Sequence, residues 1–452
     1  MIQAVQLLLS LSILILFHEG GHFIAARIFK TRVEKFYLFF DFLFPLPGLL
    51  NFSLFKKKIG DTEYGLGWFP LGGYVQISGM IDESLDTEAM KKPAEPWEFR
   101  SKPAWQRLII MLGGIIVNIL LAFIIYALVL FAWGEDKLPM GELKNGIQSD
   151  SLAQNLGFKT GDKIITVNGE SVDYYDNLMA KVISAQTVVV ERDGRNTTIN
   201  LPVDLIDKLA KNERAGLLQV RVPFVIGAVP DTSLNIKGGL KKFDKVIAVN
   251  DTLSMPYFDQ IKSYIKSHKG ETISLTVVRG GAEVKLPEIK ISNEGNLEVE
   301  LVNTFKELDS LNIMKLEHTS YGFFASFPAG VKKTWNTLKF YVEQFKLMLS
   351  PSTGGYKHMG GFISMGKIFQ NEWDWQGFWN RTAFISIVLA FMNLLPIPAL
   401  DGGHVLFTLW EMITRRAPSV KFLTYAQYVG MAFLLLLMLY ANGNDIVKLF
   451  TK

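Results

Sequence analysis

Two short stretches of the chain hold side chains able to do chemistry. The first, His18-Glu19-Gly20-Gly21-His22, sets two imidazoles one helical turn apart on a single face. Two neutral ring nitrogens at that spacing can share one zinc ion, and the carboxylate between them can take a proton from metal-activated water. The chain has only six histidines, so a chance match is a poor explanation. Catalytic zinc has three protein ligands and one open position, which sends the search elsewhere for the third. The second stretch, Asn393-Leu-Leu-Pro396-Ile-Pro398-Ala-Leu-Asp401-Gly-Gly-His404, offers candidates. Chemistry alone leaves Asp401 and His404 both open as the ligand. Asn393 can donate to a substrate carbonyl or hold a broken helix together.

The elements that must position these groups read as membrane spans. Four runs, at 1–26, 108–133, 382–400 and 422–441, are apolar over about 20 residues or more, the length that crosses a bilayer. The first run holds no ionisable group except His18, Glu19 and His22. It lacks the basic start of a signal peptide and outlasts an ordinary signal core, so it is read as a retained span. Ionisable side chains inside a span are costly and functional by default, and three within five residues call for a compensating cation. Gly20 and Gly21 each cost about 1 kcal/mol against alanine in a helix. Close approach of another backbone, either a packed helix or a substrate strand, offsets that. Pro396 and Pro398 break the third run, and backbone freed at membrane depth must line a cavity or be covered by protein.

Basic residues cluster after the first run (Arg27, Lys30, Arg32, Lys35, Lys56, Lys57, Lys58), before the second (Lys102, Arg107) and between the third and fourth (Arg415, Arg416, Lys421). The positive-inside rule makes these segments cytoplasmic, which places both termini and the region 134–375 outside. Residues 36–55 are apolar but interrupted by Asp41, Pro45, Pro47 and Gly48, and are read as interfacial or re-entrant. The 452 residues are 49% hydrophobic and 20% charged, with a net charge of +4. That mix fits a membrane protein with a sizeable soluble part and gives no case for nucleic acid as a partner. No cysteine is present, which excludes disulfides, thiolate zinc sites and cysteine nucleophiles.

The external region contains a repeat. Gly157-Phe-Lys-Thr-Gly-Asp162-Lys-Ile-Ile-Thr-Val-Asn168-Gly returns as Gly239-Leu-Lys-Lys-Phe-Asp244-Lys-Val-Ile-Ala-Val-Asn250-Asp. Each copy is an apolar strand entered through a loop and left through a turn, followed by further β-rich runs. The pattern resembles PDZ domains, with departures at Phe243 and Asp251, where glycine is usual. PDZ domains bind peptides by adding a strand to a sheet edge; a pair of them can also simply limit access to the membrane part.

The pairing of His-Glu-x-x-His in the first span with Asn-x-x-Pro-x-Pro-x-Leu-Asp-Gly-Gly-His in a late span resembles the site-2 proteases. The tandem PDZ insert and four-span layout resemble the bacterial type that cleaves anti-sigma factors. The resemblance implies an intramembrane zinc endopeptidase, with His18, His22 and Asp401 as zinc ligands, Glu19 as general base and Asn393 as a substrate contact. It also implies that Pro70, Leu71, Gly72, Gly73 and Tyr74, in a β-hairpin at 63–79, align the substrate. The chain departs from the family at residues 39–50, at Leu112-Gly113-Gly114 in place of Ala-Gly-Pro, and at Gly360-Gly361 in place of Gly-Pro.

The expected architecture is a polytopic α-helical membrane protein with four transmembrane helices, a membrane-associated β-hairpin and two inserted periplasmic PDZ domains. In chain order it reads as a first span (1–27), a cytoplasmic or re-entrant region (28–104), a second span (105–133), two PDZ domains (134–222 and 223–303), an amphipathic connecting region (304–376), a third span (377–414) and a fourth with the C-terminus (415–452). Within the connecting region, Phe323, Phe324, Phe327, Val331, Trp335, Leu338, Val342 and Phe345 form a stripe expected to lie on the outer membrane surface or pack on the PDZ pair. By the resemblance, the setting is the bacterial cytoplasmic (inner) membrane, and the substrates are single-pass membrane proteins first trimmed by a site-1-type protease. A non-catalytic PDZ scaffold is the alternative, and the intact motifs speak against it.

Overall fold

The computed structural model of the chain describes residues 1–43, 50–70, 72–80, 93–212, 216–250 and 253–450. They fold as two compact units. A helical unit comprises Met1–Gly134, Ser320–Lys346 and the chain from His358 onward, and a β-rich unit comprises Glu135–Thr319 and Leu347–Lys357.

The helical unit is built on α1 (Ile2–Ile28), α2 (Ala104–Trp133), α3 (Phe323–Leu349), α4 (Trp375–Leu394), α5 (Asp401–Thr414) and α6 (Val420–Phe450). Arg27 in the last turn of α1 faces the negative end of the helix dipole. The chain leaves α2 at Gly134, whose φ of +69° favours a residue without Cβ. Asp374 caps α4, its carboxylate accepting from Gln376 N at 3.1 Å and Gly377 N at 2.9 Å. Leu395 is already extended, as the residue before a proline prefers, and Pro396 and Pro398 cannot continue the helix.

The helices α1, α2 and α6 are long and apolar enough to cross a membrane. The expected third run takes another form. Its helix, α4, starts earlier, at Trp375, and carries Asn380 and Arg381. It gives way to irregular backbone at 395–400 before α5 begins at Asp401.

Between α1 and α2 lies a four-stranded sheet in the order β2-β3-β1-β4, with β1 at Val33–Leu38, β2 at Ser53–Ile59, β3 at Thr62–Gly67 and β4 at Tyr74–Ile77. This corrects the hairpin expected at 63–79. Strands β3 and β4 do not pair, because β1 runs between them, parallel to β3 and antiparallel to β4. The glycines of β3 make the room. A Cβ at Gly65 would enter the Tyr37 ring, and one at Gly67 would enter the Phe40 backbone. Tyr37 is fully buried there, its hydroxyl donating to Glu63 at 2.7 Å. The glycine-rich strand therefore receives the chain's own aromatics, and the tight hairpin is the one between β2 and β3. Residues 36–55 are likewise partly strand, in β1 and β2, while Pro45, Pro47 and Gly48 fall outside the described residues.

The amphipathic stripe of α3 splits in two. Phe323 packs on Phe131 and Phe327 on Phe123, both of α2. Tyr341 and Phe345 pack on Phe391 of α4, with ring centroids 5.5 and 5.2 Å apart. Gly330 allows the approach, since a Cβ there would stand 2.8 Å from Ala127 N. Phe324, Val331 and Trp335 stay exposed.

In the β-rich unit the two copies of the repeat build the same local structure. Strand Lys163–Val167 pairs with Thr187–Arg192, and strand Lys245–Val249 with Thr272–Arg279, each with a register shift two residues into the strand. A buried aspartate braces each copy. Asp162 accepts from Lys159 N (2.7 Å) and from Arg192, while Asp244 accepts from Lys241 N (2.8 Å) and from Arg279. Each arginine also reaches the carbonyl of the loop glycine, Gly157 or Gly239. Where the first copy has Gly161 at φ +99°, the second has Phe243 at +69°, a conformation strained for a residue with a side chain. Asp251 lies outside the described residues.

Candidate active site

The site forms where α1, α2, the end of α4 and the start of α5 meet. Helix α1 approaches α2 backbone to backbone: a Cβ at Gly113 would lie 2.6 Å from Gly21 O, and one at Gly21 would lie 2.6 Å from the Gly113 carbonyl carbon. Gly21 thus serves helix packing, whereas a Cβ at Gly20 would meet nothing within 4 Å. A Cβ at Gly114 would stand 2.6 Å from His18 Cε1. Gly114, where the family has proline, therefore leaves the space in which the imidazoles sit.

The irregular segment 395–400 brings Asp401 to the histidines, and three glycines and an amide hold it. A Cβ at Gly402 would lie 2.5 Å from Leu394 O and one at Gly403 would lie 2.7 Å from Ile397 O, so the segment folds back closely on the first turn of α5. Gly430 of α6 makes room for the Pro398 carbonyl. Gln427, buried in α6, accepts from Ala399 N at 3.2 Å, where Ala399 holds φ at +76°. Arg107 of α2 pairs with Glu411 of α5 at 2.5 Å and ties the two helices.

The result is a near-equilateral triangle of ligand atoms. His18 Nε2 and His22 Nε2 each lie 3.3 Å from Asp401 Oδ2 and 3.4 Å from each other. Asp401 Oδ2 is buried and has no hydrogen-bond partner among the described residues. Three ligands about 2.0–2.1 Å from a tetrahedral zinc ion are spaced about 3.3–3.4 Å apart. Donor types, spacing and the unpaired oxygen all fit zinc. His22 Nδ1 donates to Ile110 O at 2.9 Å, which fixes the tautomer that leaves Nε2 free.

A cavity of about 500 Å³ opens beside the triangle, lined by His18, Glu19, His22, Asp401, Asn393 and His404 among others. Val75 of β4 lines the same cavity as Glu19. Asn393 Nδ2 stands 3.2 Å from His18 Nε2. His404 lines the cavity one turn beyond Asp401 but is not among the three grouped ligand atoms. Gly72, Gly73 and Tyr74 also line it, whereas Pro70 does not and Leu71 lies outside the described residues. Tyr74 stacks on Tyr37, and its hydroxyl donates to Asp41 at 3.0 Å.

Three supporting groups had no role in the sequence reading. Gln427 and the Ile110 carbonyl are two, and neither carries a spacing signal. The third is Asn118, a fully buried amide in the uncharged second span. Two signals pointed to it, its polarity in an apolar helix and its match to the family pattern just after Leu112-Gly113-Gly114, but neither gave its role.

A metal-ready triangle with a carboxylate beside it, set among helices able to cross a membrane, defines a membrane-embedded metallohydrolase. Comparison with known proteins narrows the class: the model of Peptidase family M50 matches residues 6–437, and the chain belongs to that family. Its relatives match end to end. A Treponema pallidum chain whose name proposes a zinc metalloprotease is 29% identical, covering 97% of this chain and 98% of the relative. The regulator of sigma E protease of Haemophilus influenzae is 26% identical over 98% of both chains. The metalloprotease MmpA of Caulobacter vibrioides is 26% identical over 99% of this chain and 96% of its own. The chain is a site-2-type metalloprotease that uses zinc.

Proposed function

We propose that the protein is an intramembrane endopeptidase of the bacterial cytoplasmic membrane that cuts single-pass membrane proteins within or near their spans, after an external protease has trimmed them. The observation that carries this reading is the triangle of His18, His22 and Asp401 with Glu19 in the same cavity. His18, His22 and Asp401 hold the zinc. Bound there, zinc supplies Lewis-acid chemistry, polarising a peptide carbonyl and acidifying water at its open position. Glu19 takes the proton from the attacking water and passes it to the leaving amine. Asn393, beside His18, donates to the substrate carbonyl.

A helical substrate has its backbone paired and must unwind to be cut. The edge strand β4 supports this step. One side of β4 pairs with β1, while β4 ends the sheet and its Val75 lines the cavity with Glu19. An unwound substrate can add to that open edge as a strand, with Gly72, Gly73 and Tyr74 at its upper end.

In this reading α1, α2, α4 with its broken continuation, and α6 are the four crossings. The basic clusters face the cytoplasm, and both termini and the β-rich unit lie outside. The two braced repeats are PDZ domains that limit entry to trimmed substrates. The name of the Haemophilus influenzae relative, a regulator of sigma E protease, supports anti-sigma-factor-like substrates.

Co-expression with single-span reporters carrying long or trimmed external domains tests the proposal. Trimmed reporters are cut and long ones spared, and Glu19→Gln abolishes cutting. Cleavage undiminished in Glu19→Gln would refute the mechanism and leave the scaffold reading.

A further inference from the structure

The two candidate zinc histidines stand on α1, yet both have their Nδ1 atoms against α2. His22 Nδ1 meets the Ile110 carbonyl at 2.9 Å. His18 Nδ1 meets the side-chain amide of Asn118, with Nδ2 at 3.1 Å. The two ends of an amide have the same shape, so the partner decides which end faces it. His18 presents Nε2 to Asp401 and His22 in the triangle. A neutral imidazole that offers the Nε2 lone pair carries its proton on Nδ1. The amide atom facing His18 Nδ1 must then be the acceptor, Oδ1.

Other features of Asn118 agree with that assignment. It is fully buried, and one end of its amide has no partner among the described residues. It lies in a run, 108–133, without a single charge. A buried amide in such a helix is expensive and needs a reason. Its backbone is also pinned: the buried hydroxyl of Ser386 on α4 donates to Asn118 O at 2.7 Å. That contact fixes α4, which carries Asn393, at the level of His18. Gly114, one turn earlier on α2, leaves the room for His18 to lie against it.

We propose that Asn118 is a positioning residue of the zinc site, its amide oxygen accepting from His18 Nδ1–H as the Ile110 carbonyl accepts from His22 Nδ1–H. Helix α2, which supplies no ligand, thereby sets the orientation of both imidazoles. The inference rests on the reading that His18, His22 and Asp401 hold zinc. Partners of this kind are worth about 10–100-fold in metal affinity.

The test uses the full chain in detergent, stripped of metal and titrated with zinc against a chromophoric chelator. Asn118→Leu weakens zinc binding by about 10–100-fold. Asn118→Asp, whose carboxylate also accepts from Nδ1–H, binds near the wild-type affinity. If the leucine variant does not elute as folded protein, Asn118→Ala removes the amide without bulk and carries the same expectation. Wild-type affinity in Asn118→Leu or Asn118→Ala overturns the proposal, and so does an Asn118→Asp variant as weak as they are. His22→Ala separates the two layers of the argument. Unchanged affinity there overturns the reading of the site itself. Loss there, with wild-type affinity in Asn118→Leu, overturns only the role of Asn118.

Discussion

Replacing Gly21 by alanine tests how tightly the two central helices define the site. The added Cβ would stand 2.6 Å from the Gly113 carbonyl carbon, about 0.9 Å inside ordinary carbon–carbon contact. The Cβ position is fixed by the α1 backbone and its neighbour is itself backbone, so no side chain can turn away, and the helices must separate by most of that distance. Residue 22 is the next along α1, and its ring bonds to Ile110 O at 2.9 Å. Separation by that amount stretches the bond to roughly 3.8 Å, beyond hydrogen-bond range. Overpacking of this kind costs about 1–3 kcal/mol in stability, and a misplacement of about 1 Å costs on the order of 100-fold in rate. Gly20→Ala is the control: its Cβ meets nothing within 4 Å, and it gains about 1 kcal/mol of helix propensity. The assay is the cleavage rate of a trimmed reporter together with thermal unfolding in detergent. Gly21→Ala loses activity and melts earlier, whereas Gly20→Ala keeps its rate and melts no earlier than wild type. Equal rates in the two variants would refute the packing argument.

Further outcomes follow from other contacts. Gly430→Ala drives a Cβ into the Pro398 carbonyl, displaces the segment that delivers Asp401 and lowers zinc content as measured by metal analysis. Arg192→Met leaves Asp162, 1% exposed, as a buried carboxylate without its countercharge, and Arg279→Met does the same to Asp244, fully buried. Each costs about 3–5 kcal/mol, read as lost amide protection confined largely to its own repeat. Burial alone would raise the Asp136 carboxyl, but hydrogen bonds and charge from His318 and Lys306 hold it below its ordinary value of 3.8. A depressed folded value means stability that is present above the ordinary value and is lost as pH falls through the folded one. The protection of strands Glu135–Lys137 and Glu317–Thr319 therefore declines below about pH 4, and Asp136→Asn removes most of that decline.

Much of the site was legible because its chemistry is local. His18, Glu19 and His22 share one helical turn, and Asp401 follows two prolines that had to break a helix. What separated Asp401 from His404 was three-dimensional: Gly402 and Gly403 let the first turn of α5 close on residues 394–398. That closure puts the carboxylate, not the imidazole, at the triangle. The sheet was misread for a related reason. Tyr64, Gly65 and Gly67 look like one arm of a hairpin with Tyr74, yet β1, nearly 30 residues earlier, takes the place between them. Parallel pairing across such a distance leaves no turn signal in the sequence. Gln427 was visible only as a polar residue in an apolar run, and Asn118 as that and as a retained residue of the family pattern; neither showed its use, which depends on where α1 and residue 399 arrive. The partner of Gly21 stayed open for the same reason, and it proved to be another glycine pair on α2.

Zinc K-edge absorption on the full chain in lipid nanodiscs reads the metal's ligand shell itself. One zinc per chain is expected, with light-atom ligands at about 2.0–2.1 Å. The spectrum carries the signature of two imidazoles in the wild type, of one in His22→Ala, and of an altered oxygen shell in Asp401→Ala. A wild-type spectrum with three imidazoles, or a shell unchanged by Asp401→Ala, would contradict that expectation.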